Sequence, residues 1–186
     1  MGQYYRTVIK NTVTNEVKVF DGGDFNNFVP LKLLEHSWIG NKWVDFIANC
    51  IYKQRCKVAH IGDYANSEED GEFEDDIYSM RNDKKYEKKY NEPEDKFDYK
   101  NKYLVNHTSK EYIDLNKYMG ENLDHDEWIM NPITLLTAVG NGKGGGDYPE
   151  NYPDSDYIGL WTWSEIELTD SIPTDYVEVM YDFIDS

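Results

Sequence analysis

The sequence predicts an α+β fold: a single compact domain built on a mainly antiparallel mixed sheet, with two or three helices and an acidic insertion at 66–99. Three observations predict it. Short runs of bulky and polar residues separated by turn signals read as hairpins, within residues 4–20 and again within 103–115. One stretch carries a clean helical period, with Trp43, Phe46, Ile47, Cys50 and Ile51 on one face. The strand-like runs do not alternate with long helices, which argues against a doubly wound parallel sheet.

In chain order, residues 4–9 read as a strand, 11–16 as a turn and 17–20 as the returning strand, which Asp21-Gly22-Gly23-Asp24 ends. Phe28-Val29-Pro30 leads into a short helix-like run at 31–38, with Leu31, Leu34 and Trp38 on one side. After the break at Ile39-Gly40-Asn41 comes the amphipathic helix at 43–51, with Lys53-Gln54-Arg55 at its C-terminal turn, where cations suit the helix dipole. Residues 57–64 read as a buried strand and 84–90 as a solvated helix. Residues 103–107 and 111–115 form the second hairpin, followed by a loop at 118–131. The apolar run 133–139 reads as a strand, as do 158–164, 165–168 and 176–181.

Only 39% of the 186 residues are hydrophobic, but 16 Tyr and 5 Trp supply large rings for a core. The formal charge is −17, and its distribution is uneven. Residues 1–65 carry net +2, 66–99 net −7, 100–146 net −1, and 147–186 hold 11 acids and no base. Such a field disfavours free nucleic acid and attracts a cationic partner; it also serves solubility alone. No run of 18 apolar residues and no signal-type segment at the N-terminus occurs, so the expected setting is the cytosol of a bacterial host, away from membranes. Cys50 and Cys56 have no partners at zinc spacing and are expected to be reduced thiols.

The densest local signal lies at 140–148, where five of the 13 glycines fall. Gly140, Gly142 and Gly145 match the dinucleotide fingerprint letter for letter, but Pro149 and Pro153 stand where a helix must open. The P-loop pattern fails as well, because Gly144 follows Lys143. What remains is a ligand-free loop or a functional loop of another kind, with Asn141, Lys143 and Asp147 as its polar groups. Lys143 is the last basic residue of the chain.

The candidates for chemistry are Asp63, His36 and His107. Asp63, with Tyr64, ends a buried strand, where a rigid scaffold presents side chains to an open tip; an Asp there also opens turns. His36 ends the first helix and reads as general base or metal ligand, or, with at least equal weight, as a helix C-cap. His107 flanks the second hairpin turn, whose chemistry Asn106 and Ser109 already explain. His60 reads as a packed histidine and His125 as a solvated one. Were His36, Asp63, His107, Lys143 and Asp147 to converge, they would suit base-assisted or divalent-cation-assisted (for example Mg²⁺) phosphodiester cleavage. No spacing specifies a metal set.

Met1-Gly2-Gln3-Tyr4-Tyr5, the run from Leu31 to Asn41, Gly62-Asp63-Tyr64-Ala65, Val105-Asn106-His107 and the run from Asn131 to Tyr148 together resemble a widespread group of small proteins from Gram-positive bacteria and their phages. In size, acidity and general character the chain is also similar to phage anti-CRISPR proteins that act on type II-A systems, some of which truncate the guide RNA. That resemblance implies a phage or mobile-element origin and a nucleoprotein partner: the CRISPR effector or another basic nucleic-acid-binding protein. It implies a possible ribonuclease, or a non-enzymatic acidic inhibitor lying in a basic groove. It assigns no catalytic residue.

Overall fold

In the computed structural model, one mixed sheet of eight strands runs in the order β2-β1-β3-β7-β4-β5-β8, with β6 paired to β3. The structure describes residues 1–25, 31–65, 77–80, 82–83, 86, 96–119, 129–149 and 155–180. The strands are β1 (Tyr5–Asn11), β2 (Val17–Phe20), β3 (Cys56–Gly62), β4 (Tyr103–Asn106), β5 (Glu111–Asp114), β6 (Ala138–Val139), β7 (Glu165–Thr169) and β8 (Val177–Glu178). The helices are α1 (Leu33–His36), α2 (Lys42–Ile51), α3 (Ile77–Met80), α4 (Leu115–Met119) and α5 (Pro132–Leu136). Five strand pairs are antiparallel, and β3–β6 and β5–β8 are parallel. The domain is therefore α+β, as the hairpin signals predict.

Central β3 is covered on both faces, so its residues are buried almost continuously. On one face lies α2, capped by the Asn41 side chain, which accepts from the Trp43 amide. Its Trp43, Val44, Ile47, Ala48 and Ile51 join Tyr5, Ile9, Val58, Leu104 and Trp161 in the main core. Trp43 reaches the sheet, donating from Nε1 to Thr7 Oγ1 at 2.7 Å and meeting His60 edge-on. On the other face Val8, Val19, Ala59 and Ile61 pack with Met80, Tyr86 and Val139. The alternation along β1 and β3 sorts these two sets. Cys56 is buried where β3 begins, and burial pushes its thiol up to about 12.

Four expected elements come out differently. The run 133–139 is helix α5 followed by the two-residue β6. Asn131 caps that helix by accepting from the Ile133 amide, and Pro132 occupies its first turn; these start signals outweigh the apolar run. Residues 158–164 are turns, with Gly159 and Trp163 at positive φ, and the strand begins only at Glu165. The helix-like run 31–38 shrinks to the single turn α1, because Leu31 bridges to Tyr5 instead. The last strand is two residues long rather than six. The helix expected at 84–90 apart from the buried turn residue Tyr86, most of the acidic segment at 66–99, residues 28–30 and His125 lie outside the described residues. No helix among the described residues is long and apolar enough to cross a membrane.

Candidate functional site

The glycine-rich loop closes around the chain's own N-terminal segment. Gln3 is fully buried; its amide nitrogen donates to Gly140 O at 2.9 Å and its backbone N–H to Gly145 O at 2.8 Å. Gly145 N in turn donates to Met1 O at 3.0 Å. A Cβ on Gly144 would lie 2.6 Å from Gln3 Cβ, and one on Gly62 would lie 1.7 Å from the Gln3 amide nitrogen. Gln3 therefore fits only because both neighbours are bare, which is a structural use of glycine at close approach.

The polar groups of the loop hold its own backbone. Asp147 is 7% exposed and accepts from Tyr5 Oη at 2.8 Å and from the amides of Lys143 and Gly144 at 2.9 and 3.0 Å. Burial, reinforced by that carboxylate, holds the Tyr5 hydroxyl protonated far above the usual tyrosine range. Asn141 and Tyr148 are cross-linked, Nδ2 to O at 3.0 Å and N to Oδ1 at 2.9 Å. Asn141 and Asp147 thus act as staples between loop strands. The tip is open: a Cβ on Gly142 would touch nothing within 4 Å, and the neighbouring Lys143 is exposed. Beside it lies an open cleft of about 480 Å³ lined by Ala138, Gly140, Asn141, Gly142, Ser155 and Ile158.

Two further candidate regions meet this end of the sheet. Asp63 pairs with Tyr4, accepting from its amide through Oδ1 at 3.1 Å and donating its own N–H to Tyr4 O at 2.9 Å. Tyr64 is 37% exposed, and Ala65 lies against Gly140. On the other side Leu34 N donates to Gly146 O at 3.0 Å, which docks α1 on the loop. There His36 Nδ1 turns back on the backbone of Lys32 at the start of α1, 3.1 Å from its nitrogen and 3.2 Å from its oxygen, while Ser37 rather than His36 is the C-cap. The segments that carry the sequence resemblance, apart from Val105-Asn106-His107, are therefore neighbours in space.

His107 is elsewhere. Its amide donates to Glu165 O at 2.7 Å, and Glu165 pairs with Lys57, at the opposite end of β3 from Asp63. Six residues of strand at about 3.3 Å each put those ends roughly 20 Å apart. His107 does not join Asp63, His36 and Lys143 in one site. Its ring instead lies between Tyr176 Oη, 2.9 Å from Nδ1, and Glu167 Oε2, 2.9 Å from Nε2. Sequence reasoning missed both partners, because they depend on the long-range pairing of β4 with β7 and β5 with β8. Among the described residues no group of three or more His, Cys, Asp or Glu is placed to hold a metal ion.

The segregated charge of the sequence is matched in space along β7 and β8. Arg55 Nη1 meets Glu165 at 3.3 Å. Asp170 meets Lys53 at 2.7 Å, Lys102 at 3.0 Å and Tyr52 Oη at 2.9 Å. Lys117 pairs with Glu178. Lys53 first, with Lys102 and Tyr52, holds the Asp170 carboxyl well below the usual range. The acids of β7 and β8 thus tie the last part of the chain to α2, β3 and the second hairpin. Compared with known proteins, the chain matches no protein family, no curated protein and no solved structure.

Proposed function

We propose that this is a phage or mobile-element counter-defence protein that inhibits a type II-A CRISPR effector by binding it, its acid lying in a basic nucleic-acid groove in the host cytosol. The observation that favours binding over cutting is the separation of His107 from Asp63 and His36, each tied to its own internal partners. The contact falls to the segment 66–99, net −7, because the acids of β7 and β8 already have basic partners. Complementary charge of this kind governs encounter rate and partner choice.

The test uses a type II-A effector loaded with guide RNA, assayed for target-DNA cleavage and for guide length on a denaturing gel. The expected result is loss of target cleavage with the guide intact, relieved by raised salt and by replacing Glu68, Glu69, Asp70 and Glu72 with amides. A shortened guide would favour cleavage of the bound RNA, the second reading, for which the Tyr176–His107–Glu167 contact is the supporting observation. An effector that works normally in the presence of the protein overturns both.

A further inference from the structure

We propose that Tyr176 is a nucleophile toward electrophilic phosphorus, with His107 as its general base and Glu167 positioning the imidazole. This goes beyond the binding reading and does not need it. The order of groups carries the inference: a hydroxyl 2.9 Å from one ring nitrogen and a carboxylate oxygen 2.9 Å from the other. An ionised carboxylate only accepts, so in the neutral ring the proton sits on Nε2 and donates to Glu167. Nδ1 is then the acceptor, and the Tyr176 hydroxyl donates to it. That is the polarity of an activated hydroxyl: nucleophile, base, then orienting carboxylate.

The surroundings keep the line in place and leave its outer end open. The His107 side chain is 7% exposed and that of Glu167 19%, with Arg55 Nε 4.0 Å from the same carboxylate oxygen. The turn after His107 is fixed by Asn106 Oδ1, which accepts from the amides of Thr108 and Ser109 at 2.9 and 3.1 Å. Val177 N donates to Lys110 O at 3.0 Å, which anchors the chain just past Tyr176. Asp175, directly before it, has φ 66°, and the Tyr176 and His107 rings meet edge-on with centroids 5.8 Å apart. Thr174, Asp175 and Val177 around it are exposed. The half-exposed Arg55 guanidinium stands at the Glu167 end of the line, with Nη1 3.3 Å from Glu165.

With a phosphodiester, a Tyr176 Oη–P bond forms and the P–O bond to the leaving oxygen breaks. The phenolic proton passes to His107 Nδ1 and from there to the leaving oxygen, giving a phosphotyrosyl link and an alcohol. The probe for this chemistry is an alkyl fluorophosphonate, where the P–F bond breaks and fluoride leaves. Full-length protein is treated with it, and the labelled tyrosines are ranked by peptide mass spectrometry. Tyr176 is expected to label at least about tenfold faster than the exposed Tyr64, within the usual reach of a positioned base. His107→Gln and Glu167→Gln are expected to lower Tyr176 labelling and leave Tyr64 unchanged. If the three residues are only a clasp, loosening it exposes Tyr176, and labelling holds or rises in the variants; that result overturns the proposal. So does wild-type protein in which Tyr176 labels no faster than Tyr64, a comparison that needs no variant to fold.

Discussion

At the Gly62 end of β3, Gln3, Asp63, Asn141 and Asp147 bond chiefly to main chain; at the Cys56 end, Tyr176, His107 and Glu167 bond to one another. The first pattern is what a loop rich in glycine requires. It has few side chains to pack, so its amides and carbonyls must be satisfied by polar groups brought in from outside. The second pattern is rarer, since only about 10–15% of protein hydrogen bonds join two side chains. The density of motif residues in the sequence therefore marks a scaffold, whereas the line of reactive groups is assembled from scattered positions.

The largest test of this contrast is Asp147→Ala against Tyr176→Phe. The first strips partners from a buried hydroxyl and two amides at once and should cost about 3 kcal/mol or more in urea unfolding. The second removes one half-buried hydrogen bond and should cost about 1 kcal/mol. A larger loss from Tyr176→Phe would mean that the scaffold and the reactive line have been assigned the wrong way round.

The hairpins and α2 were legible because their signals are local: turn residues at fixed offsets and a 3.6-residue period. Helix α5 was written in Asn131-Pro132, but the apolar run behind it imitates a strand. The role of the glycines was not legible, because it depends on Gln3, 141 positions away from Gly144, filling the space they leave. The reactive line was half legible. His107 stood out by residue type, but β7 runs between β3 and β4, and no local pattern announces that Glu167 will face it. The unequal charge of the two ends of the chain was visible as composition, and only the sheet order turns it into specific pairs.

His60, midway along β3, belongs to neither pattern and gives a test of intermediate size. Thr137 Oγ1 donates to Ile133 O at 2.7 Å, so it accepts from His60 Nδ1–H at 2.7 Å, and Nε2 is left buried with no hydrogen-bond partner. Burial lowers the imidazole to about 3. The unfolded chain takes up this proton below roughly pH 6.5 and the folded chain does not, so stability falls as the pH drops from that value toward 3. The expected loss at pH 5 is about 2 kcal/mol relative to pH 7.5, and His60→Leu should remove that part of the slope. An unchanged acid profile in the variant would show that His60 is protonated without opening the core.

The smallest effect is expected where the charges are most numerous. Asp170 is held by Lys53, Lys102 and Tyr52, yet the cluster is solvent-exposed, so its Coulomb gain is screened. Its depressed carboxyl stabilises the fold above the usual carboxylate range and loses that effect as the pH falls through it. Asp170→Asn should leave the urea midpoint nearly unchanged at moderate salt and lower it slightly only at low salt. The same substitution should leave effector inhibition intact, because this acid already has basic partners within the chain. Loss of inhibition in Asp170→Asn, with the fold retained, would move the proposed contact from 66–99 to the β7–β8 face. The pairs there would then have to open to meet the effector, and the internal matching of charge would be a latched state of the binding surface.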